Sequence, residues 1–293
     1  MQEALRQSAV SSEYKRIVAH ILQAIKTRLK KDSVWCVVEG PEDRKVYRKL
    51  FKREVNVEIA AIKSLTNPDV EINGCEAVEK VVAGMLNTNT TQYIFGIRDT
   101  DYTCFTGTYQ CPQNIFLTDG RDLEMMLIKS QEVRNALAAL ATRVPDTLDK
   151  ACTITREIGY VRIFNDCNRQ YGYAVNDIHR CDRLWDQRSN NFCAGYATYV
   201  WDAYNEQGTQ RIQKSSLTTL IRQKQLASKP NEDICQGHDT MRLFTYICSN
   251  GAKDFEYQVE SAWYNHYSMS DFEQTSLYRD ISGWASHKGV VVF

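Results

Sequence analysis

The stretch "VWCVVEGPEDRKVYRKLF", residues 34–51, carries the signals that decide the fold. Five apolar residues run directly into Glu39, which is followed by Gly40, Pro41 and a charged amphipathic segment. An apolar run of this length, bounded by a turn, indicates a buried strand. Pro41 suits the first turn of a helix, and the acidic residues after it favour the positive end of the helix. The stretch therefore predicts a strand that turns sharply into a helix, with a carboxylate at the turn.

The same alternation of strands and helices continues along the chain to about residue 130. Strands connected by helices indicate parallel βαβ units and a sheet that is covered on both faces. Apolar runs predict further strands at 55–62, 91–99 and 114–118. Apolar residues at helical spacing predict helices at 11–31, 74–86 and 119–129, with a loop around Asn67-Pro68.

Beyond residue 130 the pattern is mainly helical, so we predict one domain at 1–130 and a second, mainly helical domain at 131–293. The stretch at 188–208 fits either a hairpin-like insertion or a helix, 226–233 reads as a surface loop, and 289–293 reads as a short strand. Ser130, Asp254 and Asp271 are candidate helix caps. Helices are predicted at 130–144, 155–171, 210–226, 237–249, 254–267 and 269–288.

Composition excludes several classes of protein. No apolar run approaches the roughly 20 residues that a membrane-spanning helix needs. The first residues lack the apolar centre of a signal peptide, so we expect a cytoplasmic protein with no membrane association. Lys and Arg total 36 and so do Asp and Glu, which argues against a simple non-specific coat for nucleic acid. The equal numbers of basic and acidic residues are still compatible with an enzyme that binds nucleic acid through local basic patches.

Ten scattered cysteines, without any C-x-x-C pair, are expected to be free thiols in a cytoplasmic chain. Their densest cluster with histidine has a spacing that fits no tight zinc site, so zinc is disfavoured. That cluster consists of Cys167, His179, Cys181 and Cys193.

Acidic residues end two of the predicted strands. Glu39 follows the first strand, and "IRDTDY" places Asp99 and Asp101 at the end of the third. In parallel sheets, ligands and catalytic groups collect at the carboxyl ends of the strands. The two aspartates of an Asp-x-Asp motif point the same way and repel each other unless a hard cation lies between them. Mg²⁺ prefers such oxygen ligands and keeps several waters, so two or three acids suffice.

The "VVEG" at 37–40, followed two strands later by Asp-x-Asp, resembles the toprim domain of topoisomerases, bacterial primases and a class of nucleases. The resemblance implies a Rossmann-like, four-stranded parallel sheet flanked by helices. It also implies that Glu39 acts as acid or base or joins the metal shell, while Asp99 and Asp101 hold Mg²⁺ or Mn²⁺. A third aspartate that primases and topoisomerases often carry is Thr103 here, which favours the nuclease branch.

The similarity extends over most of the chain, through "TDGRDLEMMLI" (118–128), "GYVRIFN" (159–165), "GHDTMRLF" (237–244) and "FEQTSLYRDISGW" (272–284). Together these stretches resemble a bacterial family, formerly described as a toprim-like domain of unknown function, that includes the AriB-type effectors of PARIS anti-phage defence. The resemblance implies a nuclease with tRNA favoured over DNA as substrate, held inactive by an ABC-type ATPase until a phage trigger is sensed. We further expect a homodimer in the active state.

Further candidate residues lie near these motifs. Glu124 is a candidate catalytic acid, and Asp122 matches a second acidic position of the family stretch. The alternative is that Asp122 or Asp119 caps the N-terminus of a helix. Basic residues beside the acids are candidates for binding phosphate, with a solvated helix face as the alternative at 48–53. The candidates for phosphate binding are Arg44, Lys45, Arg98 and His238.

Two other functions remain open at this point. The chain could be a non-catalytic toprim module that senses a trigger within a defence complex. The intact acids Glu39, Asp99 and Asp101 argue against this alternative, because a degenerate site would be expected to lose them. A primase-type nucleotidyl enzyme is disfavoured by the missing third aspartate and by the lack of a zinc module.

Overall fold

The structure is a computed structural model, and it describes residues 33–60, 62–63, 71–72, 74–88, 91–107, 109–168, 178, 180–205, 213–249 and 255–293, together with residues 19, 23 and 27. Its contacts divide the described residues into two compact units. The sheet unit comprises those within Met1–Asp99, Gln110–Thr118 and Ser268–Phe293. The helical unit comprises those within Thr100–Tyr109 and Asp119–Tyr267.

The strands and helices are numbered in chain order. The strands are β1 (Trp35–Val38), β2 (Asn56–Ile59), β3 (Ile62–Lys63), β4 (Glu71–Ile72), β5 (Ile94–Arg98), β6 (Ile115–Leu117), β7 (Trp185–Asp186) and β8 (Asn191–Phe192). The helices are α1 (Pro41–Leu50), α2 (Cys75–Asn87), α3 (Thr103–Thr106), α4 (Leu123–Leu127), α5 (Gln131–Leu140), α6 (Thr147–Cys167), α7 (Tyr196–Asn205), α8 (Lys214–Gln223), α9 (Asn231–Ile234), α10 (Gly237–Ser249), α11 (Phe255–Asn265), α12 (Met269–Phe272) and α13 (Ser276–Lys288). Short 3₁₀ helices lie at Cys181–Arg183 and Leu226–Ser228.

A four-stranded parallel sheet forms the centre of the sheet unit, in the order β2-β1-β5-β6. All four residues of β1 are buried, because the strand has neighbours on both sides and side chains packed on both faces. This arrangement confirms the predicted α/β class with a four-stranded parallel sheet. The two-stranded antiparallel pairing of β3 with β4 was not predicted.

Helix α2 covers one face of the sheet. Its apolar row includes Val78 and Val82, which pack in one buried cluster with Trp35 of β1 and Ile94 of β5. The cluster needs a residue without a side chain at Gly96 in β5, since a Cβ there would lie 2.5 Å from Val78 Cγ1 and 2.8 Å from Ile115 Cδ1. The close approach of helix and strand therefore depends on a glycine in the middle of the sheet.

Aromatic side chains cover the opposite face of the sheet. Phe95 of β5 contacts Trp284 of α13 with 4.9 Å between ring centroids, and Phe51, at the end of α1, with 5.9 Å. Phe293 packs against Phe51 at 5.5 Å. Ring pairs at these separations are energetically favourable beyond their buried area. The residues from Ser268 onward thus complete the core of the sheet unit.

The end of the chain differs from two predictions. The predicted boundary at residue 130 assigns 268–293 to the helical domain, whereas its contacts group that segment with the sheet. The strand predicted at 289–293 is wrong, because no strand is assigned there. Instead, Gly289 ends α13 in a left-handed conformation, and the Val292 carbonyl accepts a hydrogen bond of 2.8 Å from the Lys52 N–H. The end of the chain packs Phe293 on the rings of Phe51 and Phe272 instead of pairing its backbone with an edge strand.

The helical unit is built around α6, whose residues are buried along most of its length and which packs against α10. Most of the predicted helices are confirmed with shifted ends, and so is the cap at Ser130, whose hydroxyl accepts from the N–H groups of Glu132 and Val133. Apart from its residues 19, 23 and 27, the helix predicted at 11–31 lies outside the described residues, as do Asn67-Pro68 and Asp254. No helix in the described ranges has both the length and the apolar character needed to cross a bilayer.

The surface loop predicted at 226–233 is right in its exposure and wrong in its structure. Residues 227–230 are exposed, but the segment contains a 3₁₀ turn and most of α9, and Leu226 and the adjoining Ile234 are completely buried. The Arg156 guanidinium donates to the carbonyls of Leu226 and Lys229 and to Asn231 Oδ1, at 2.6, 2.7 and 2.8 Å. One arginine thus satisfies several backbone carbonyls of a segment that stays largely at the surface, and these hydrogen bonds give the segment a defined structure.

The helix predicted at 269–288 is two helices, α12 and α13. Thr275 interrupts it and caps α13 by accepting a hydrogen bond from the Tyr278 N–H. Asp271 is not an N-cap as predicted, because Ser268 holds that position. In the resulting capping box the Ser268 hydroxyl accepts from the Asp271 N–H, and Asp271 Oδ2 accepts from the Ser268 N–H. Both alternatives left open for 188–208 are present, since the β7–β8 hairpin precedes α7.

We expect Gly96→Ala to lower the free energy of unfolding by about 2 kcal/mol, because the new methyl group would overlap Val78 and Ile115 in a packed core. Urea denaturation followed by circular dichroism measures the change.

Gly283→Ala is the matched control for this prediction. Gly283 is an exposed position inside α13, where an added Cβ would meet no atom within 4 Å. Alanine there should raise the free energy of unfolding by about 0.5–1 kcal/mol, as in other exposed helix interiors. Equal effects of the two substitutions would contradict the close packing described for Gly96.

Candidate functional site

Glu39 and Asp99 lie together at the carboxyl ends of two neighbouring strands of the sheet unit. Glu39 follows β1, Asp99 follows β5, and the two strands are parallel. Glu39 Oε1 accepts a hydrogen bond of 2.8 Å from the Asp99 N–H. Both residues are only partly buried, so solvent reaches this end of the sheet. The structure therefore brings together two of the predicted acids that are 60 residues apart in the chain.

The second oxygen of Glu39 faces the start of α2. Gly74 precedes this helix with a positive φ of 70°, and a Cβ built there would lie 3.5 Å from Glu39 Oε2. The N-terminus of a helix carries a partial positive charge, which stabilises a nearby carboxylate. A glycine accepts the left-handed conformation without strain. Gly74 could not be identified as a site residue from the sequence, because only the folded chain brings it to Glu39.

Arg98 is held inside the sheet unit and is 5% exposed. Its Nη1 lies 2.6 Å from Glu79 Oε1 of α2, and its Nε donates to the Asp99 carbonyl at 2.9 Å. The main chain of Asp99 is thus fixed at both of its polar groups, by Glu39 and by Arg98. This placement gives Arg98 a positioning role and makes it a poor candidate for direct contact with a phosphate. Neither Glu79 nor its ion pair was anticipated from the sequence.

Arg44 and Lys45 are exposed on α1, within two turns of Glu39. Lys45 Nζ lies 3.8 Å from Glu42 Oε1, and both side chains are largely solvated. Asp43, the second acid of the first turn, instead accepts a hydrogen bond of 2.7 Å from the Gly40 N–H and so stabilises the turn after Glu39. The two basic side chains are therefore accessible to a ligand, as their predicted role requires.

Asp101 belongs to the helical unit and lies beside Arg121. Its φ is 49°, and its N–H donates to the Arg121 carbonyl at 2.7 Å. Asp101 Oδ1 is 3.6 Å from Arg121 Nη2, and 38% of the Asp101 side chain is exposed. The Arg121 guanidinium also lies over the Tyr102 ring, 4.8 Å from its centroid. Arg121 was not a predicted site residue, and nothing in the local sequence distinguishes it.

Asp122 is buried and serves as a helix cap. Its Oδ1 accepts from the Met125 N–H at 3.0 Å, which caps α4. Its Oδ2 accepts from the Gly237 N–H at 2.8 Å, at the start of α10, and from Arg121 Nη1 at 2.6 Å. The capping interpretation of Asp122 is therefore confirmed. Gly237 is required at this point, because a Cβ there would collide with Glu124.

Glu124 is 4% exposed and is tied to α11. Its Oε1 accepts a hydrogen bond of 2.7 Å from the Tyr264 hydroxyl, and its backbone carbonyl accepts from Trp263 Nε1 at 3.0 Å. Burial raises the pKa of Glu124, the charge of Asp122 raises it further, and His238 and Tyr264 partly oppose the shift. These are the contacts of a buried carboxyl group with a structural role. The catalytic role predicted for Glu124 would require its carboxyl group to contact substrate.

His238 is an exposed residue near the start of α10. Its Nε2 lies 3.9 Å from Glu124 Oε1, and 61% of its side chain is accessible. The neighbouring Asp239 is buried, where it accepts 2.7 and 2.8 Å hydrogen bonds from Arg162 Nη2 and the Ile178 N–H. His238 can therefore reach a ligand, and Asp239 holds the helical unit together. The Arg162–Asp239 pair was not anticipated from the sequence.

The chemistry of the accessible acids fits a hard divalent cation. Glu39 and Asp99 offer carboxylate oxygens at an open end of the sheet, and Mg²⁺ is commonly bound by one or two carboxylates while waters complete its shell. No group of three or more His, Cys, Asp or Glu side chains in the described ranges forms a ready cage for a metal. All ten cysteines are free thiols, and His179 of the candidate zinc cluster lies outside the described residues.

No protein-family model matches this chain, and no curated protein sequence matches it. The functional conclusion therefore depends on the residues themselves and on the resemblance of their motifs.

We expect Glu124→Gln to flatten the dependence of stability on pH. A raised pKa means that the folded state binds a proton more tightly than the unfolded state above the ordinary value of 4.5. The free energy of unfolding then falls as pH rises from 4.5 toward the pKa of the folded state. Glutamine keeps an oxygen that accepts from Tyr264 but cannot ionise. Urea unfolding across about pH 4.5–8 measures the difference.

Glu260→Gln is the control, since Glu260 is an exposed residue on the same helix, α11, as Tyr264. It should leave the slope of stability against pH unchanged. Tyr264→Phe should steepen the fall, because it removes the hydrogen bond that lowers the pKa of Glu124. An unchanged slope in Glu124→Gln would show that this carboxyl does not titrate in the window.

Proposed function

We propose that this chain is a Mg²⁺- or Mn²⁺-dependent nuclease of toprim type that hydrolyses phosphodiester bonds in nucleic acid. The observation that carries the proposal is the hydrogen bond from the Asp99 N–H to Glu39 Oε1 across the ends of two parallel strands. It puts two partly accessible carboxylates at the edge of the sheet where catalytic groups collect in such folds. The Asp-x-Asp and "VVEG" motifs point to the same residues.

Glu39 and Asp99 are the metal ligands proposed from the sheet unit, and the resemblance of the Asp-x-Asp motif alone adds Asp101, two residues along the chain from Asp99. When bound, the ion would polarise a phosphoryl oxygen and lower the pKa of a water molecule. Arg98 contributes indirectly, because its bond to the Asp99 carbonyl holds the backbone from which that carboxylate projects. Preorganisation of this kind reduces the rearrangement needed when substrate binds.

Hydrolysis forms a bond from a water oxygen to phosphorus and breaks the bond from phosphorus to one ester oxygen. The water loses a proton, and the departing ester oxygen gains one. Glu39 is the proposed group that accepts the proton of the water, since its carboxylate lies at the accessible end of β1. Arg44 and Lys45, exposed on α1, are the proposed contacts with phosphate oxygens, and His238 is retained as a candidate contact.

The biological setting follows from the resemblance of the motifs alone. It implies tRNA rather than DNA as substrate, an ABC-type ATPase that holds the protein inactive, and a homodimer as the active form. In that setting the chain is the effector of an abortive anti-phage response. Glu124, included among the candidate catalytic residues on sequence grounds, takes no step in the proposed reaction because its carboxyl group is buried against Tyr264.

We expect Glu39→Gln to reduce cleavage by about 10²–10⁴-fold, the usual contribution of a general acid or base. The amide oxygen of glutamine still accepts the Asp99 N–H, so the fold should persist while the negative charge is lost. The assay incubates the purified chain with bulk tRNA, single-stranded DNA and plasmid, with Mg²⁺, with Mn²⁺ and with chelator. Thermal unfolding of each variant confirms that the structure is retained.

Glu42→Gln is the matched control, because Glu42 is a nearby solvated acid on α1 and should leave cleavage unchanged. Full activity in Glu39→Gln would overturn the assignment of Glu39. A folded chain that cleaves none of the three substrates with either metal, alone or after release from its ATPase partner, would favour the alternative, a non-catalytic sensor module.

A further inference from the structure

The outer face of α1 and the turn after it carry a concentrated positive charge. Residues 44–53 contain six Lys or Arg and no acid, in a chain whose basic and acidic residues are equal in number. All six side chains are exposed, while the helix buries Val46, Tyr47 and Leu50 on its other side. This basic face consists of Arg44, Lys45, Arg48, Lys49, Lys52 and Arg53.

The arrangement of these cations costs stability. Arg44 and Arg48 are four residues apart on α1, and so are Lys45 and Lys49, so each pair places like charges side by side. Such pairs destabilise a helix by a few tenths of a kcal/mol each. A basic helix face that only contacts solvent is usually stabilised by acidic residues three or four positions away from its basic ones. The acids of the first turn are engaged there, Glu42 with Lys45 and Asp43 with the Gly40 N–H, and the next acid along the chain, Glu54, follows the end of the face.

The helix dipole explains only part of the pattern. Basic residues in the last turn, here Arg48 and Lys49, interact favourably with the negative end of a helix. Arg44 and Lys45 lie in the first half of α1, closer to the positive end, where the dipole disfavours them. Their charge is better explained by an external anion than by stabilisation of the helix.

We propose that the basic face binds the sugar-phosphate backbone of a polynucleotide. The choice of a nucleic acid as the polyanion rests on the proposed function. Ten helical residues span about 15 Å, and successive phosphates along one strand of a duplex advance by about 3.4 Å. The face therefore matches roughly four phosphates of one strand. Because α1 begins two residues after Glu39, the bound strand continues outward from the proposed site.

The proposal makes the substrate a chain of several nucleotides rather than a mononucleotide or a small phosphoester. Contacts between lysine or arginine and phosphates carry no information on base sequence. The face thus supplies affinity and direction to the strand, and other parts of the protein or the substrate's own shape must supply selectivity.

The test measures binding of fluorescent 30-nucleotide single-stranded RNA, single-stranded DNA and duplex RNA by anisotropy, in chelator so that no cleavage occurs. The variant carries four charge reversals, Arg48→Glu, Lys49→Glu, Lys52→Glu and Arg53→Glu, which leave Arg44 and Lys45 in place. Affinity for the strand that the wild-type chain binds best should fall at least about tenfold. The slope of log affinity against log salt concentration should become shallower by about three to four, one per lost phosphate contact.

The control variant reverses four exposed cations of the helical unit, so that its formal net charge changes by the same amount. It should retain wild-type affinity and salt slope, and both variants should unfold cooperatively at temperatures close to that of the wild-type chain. The control substitutions are Arg143→Glu, Arg188→Glu, Arg222→Glu and Lys229→Glu.

Three outcomes would overturn the proposal: equal losses in the two variants, no binding of any strand by the wild-type chain, or binding of a polyglutamate peptide of matched charge in preference to the strands. In the last outcome, the partner of the basic face would be an acidic protein surface instead of a nucleic acid. The assay is independent of the proposed reaction. If the chain binds strands through the basic face but cleaves none of them, this inference stands and the proposed nuclease activity does not. If the chain cleaves nucleic acid but the four charge reversals leave its binding unaltered, the nuclease proposal stands and this inference does not.

Discussion

The burial of β1 on both faces is the constraint on which the rest of the sheet unit depends. Strands pair with both edges of β1, and the side chains on both of its faces are buried. Other parts of the chain must therefore cover each face. Helix α2 provides one cover, which requires Gly96, and the aromatic side chains of α1, α13 and the chain end provide the other. Because the covered strands are parallel, their carboxyl ends meet at one edge, and Glu39 comes within hydrogen-bonding distance of Asp99.

Accessibility divides the acids of the predicted site into two groups with different roles. Asp122 and Glu124 are buried in the helical unit, where N–H and hydroxyl groups occupy their oxygens. Glu39, Asp99 and Asp101 keep part of their surface exposed. Burial of an ionised carboxylate is costly unless it is fully paired, so the buried acids are suited to holding structure. The partly exposed acids are the ones to which the proposed metal role is assigned.

Most strands and helices could be predicted from the sequence, because apolar periodicity and turn residues act locally. The strand and helix of residues 34–51 and the Ser130 cap are examples. The failures share a different cause. Residues 226–233 are polar and stay largely at the surface, yet Arg156 holds them in a 3₁₀ turn and a short helix by satisfying their carbonyls, and the apolar chain end packs on Phe51 instead of pairing as a strand. Each depends on a partner far away in the chain.

The sequence by itself determined the order of strands and helices, the position of Glu39 and Asp99 directly after two buried strands, and the concentration of cations on α1. These features follow from local spacing and composition. Only the tertiary structure decided that Arg98 holds the Asp99 carbonyl, that Asp122 caps α10 as well as α4, and that residues 268–293 complete the sheet unit. Those contacts depend on which surfaces pack together, and local periodicity carries no record of that choice.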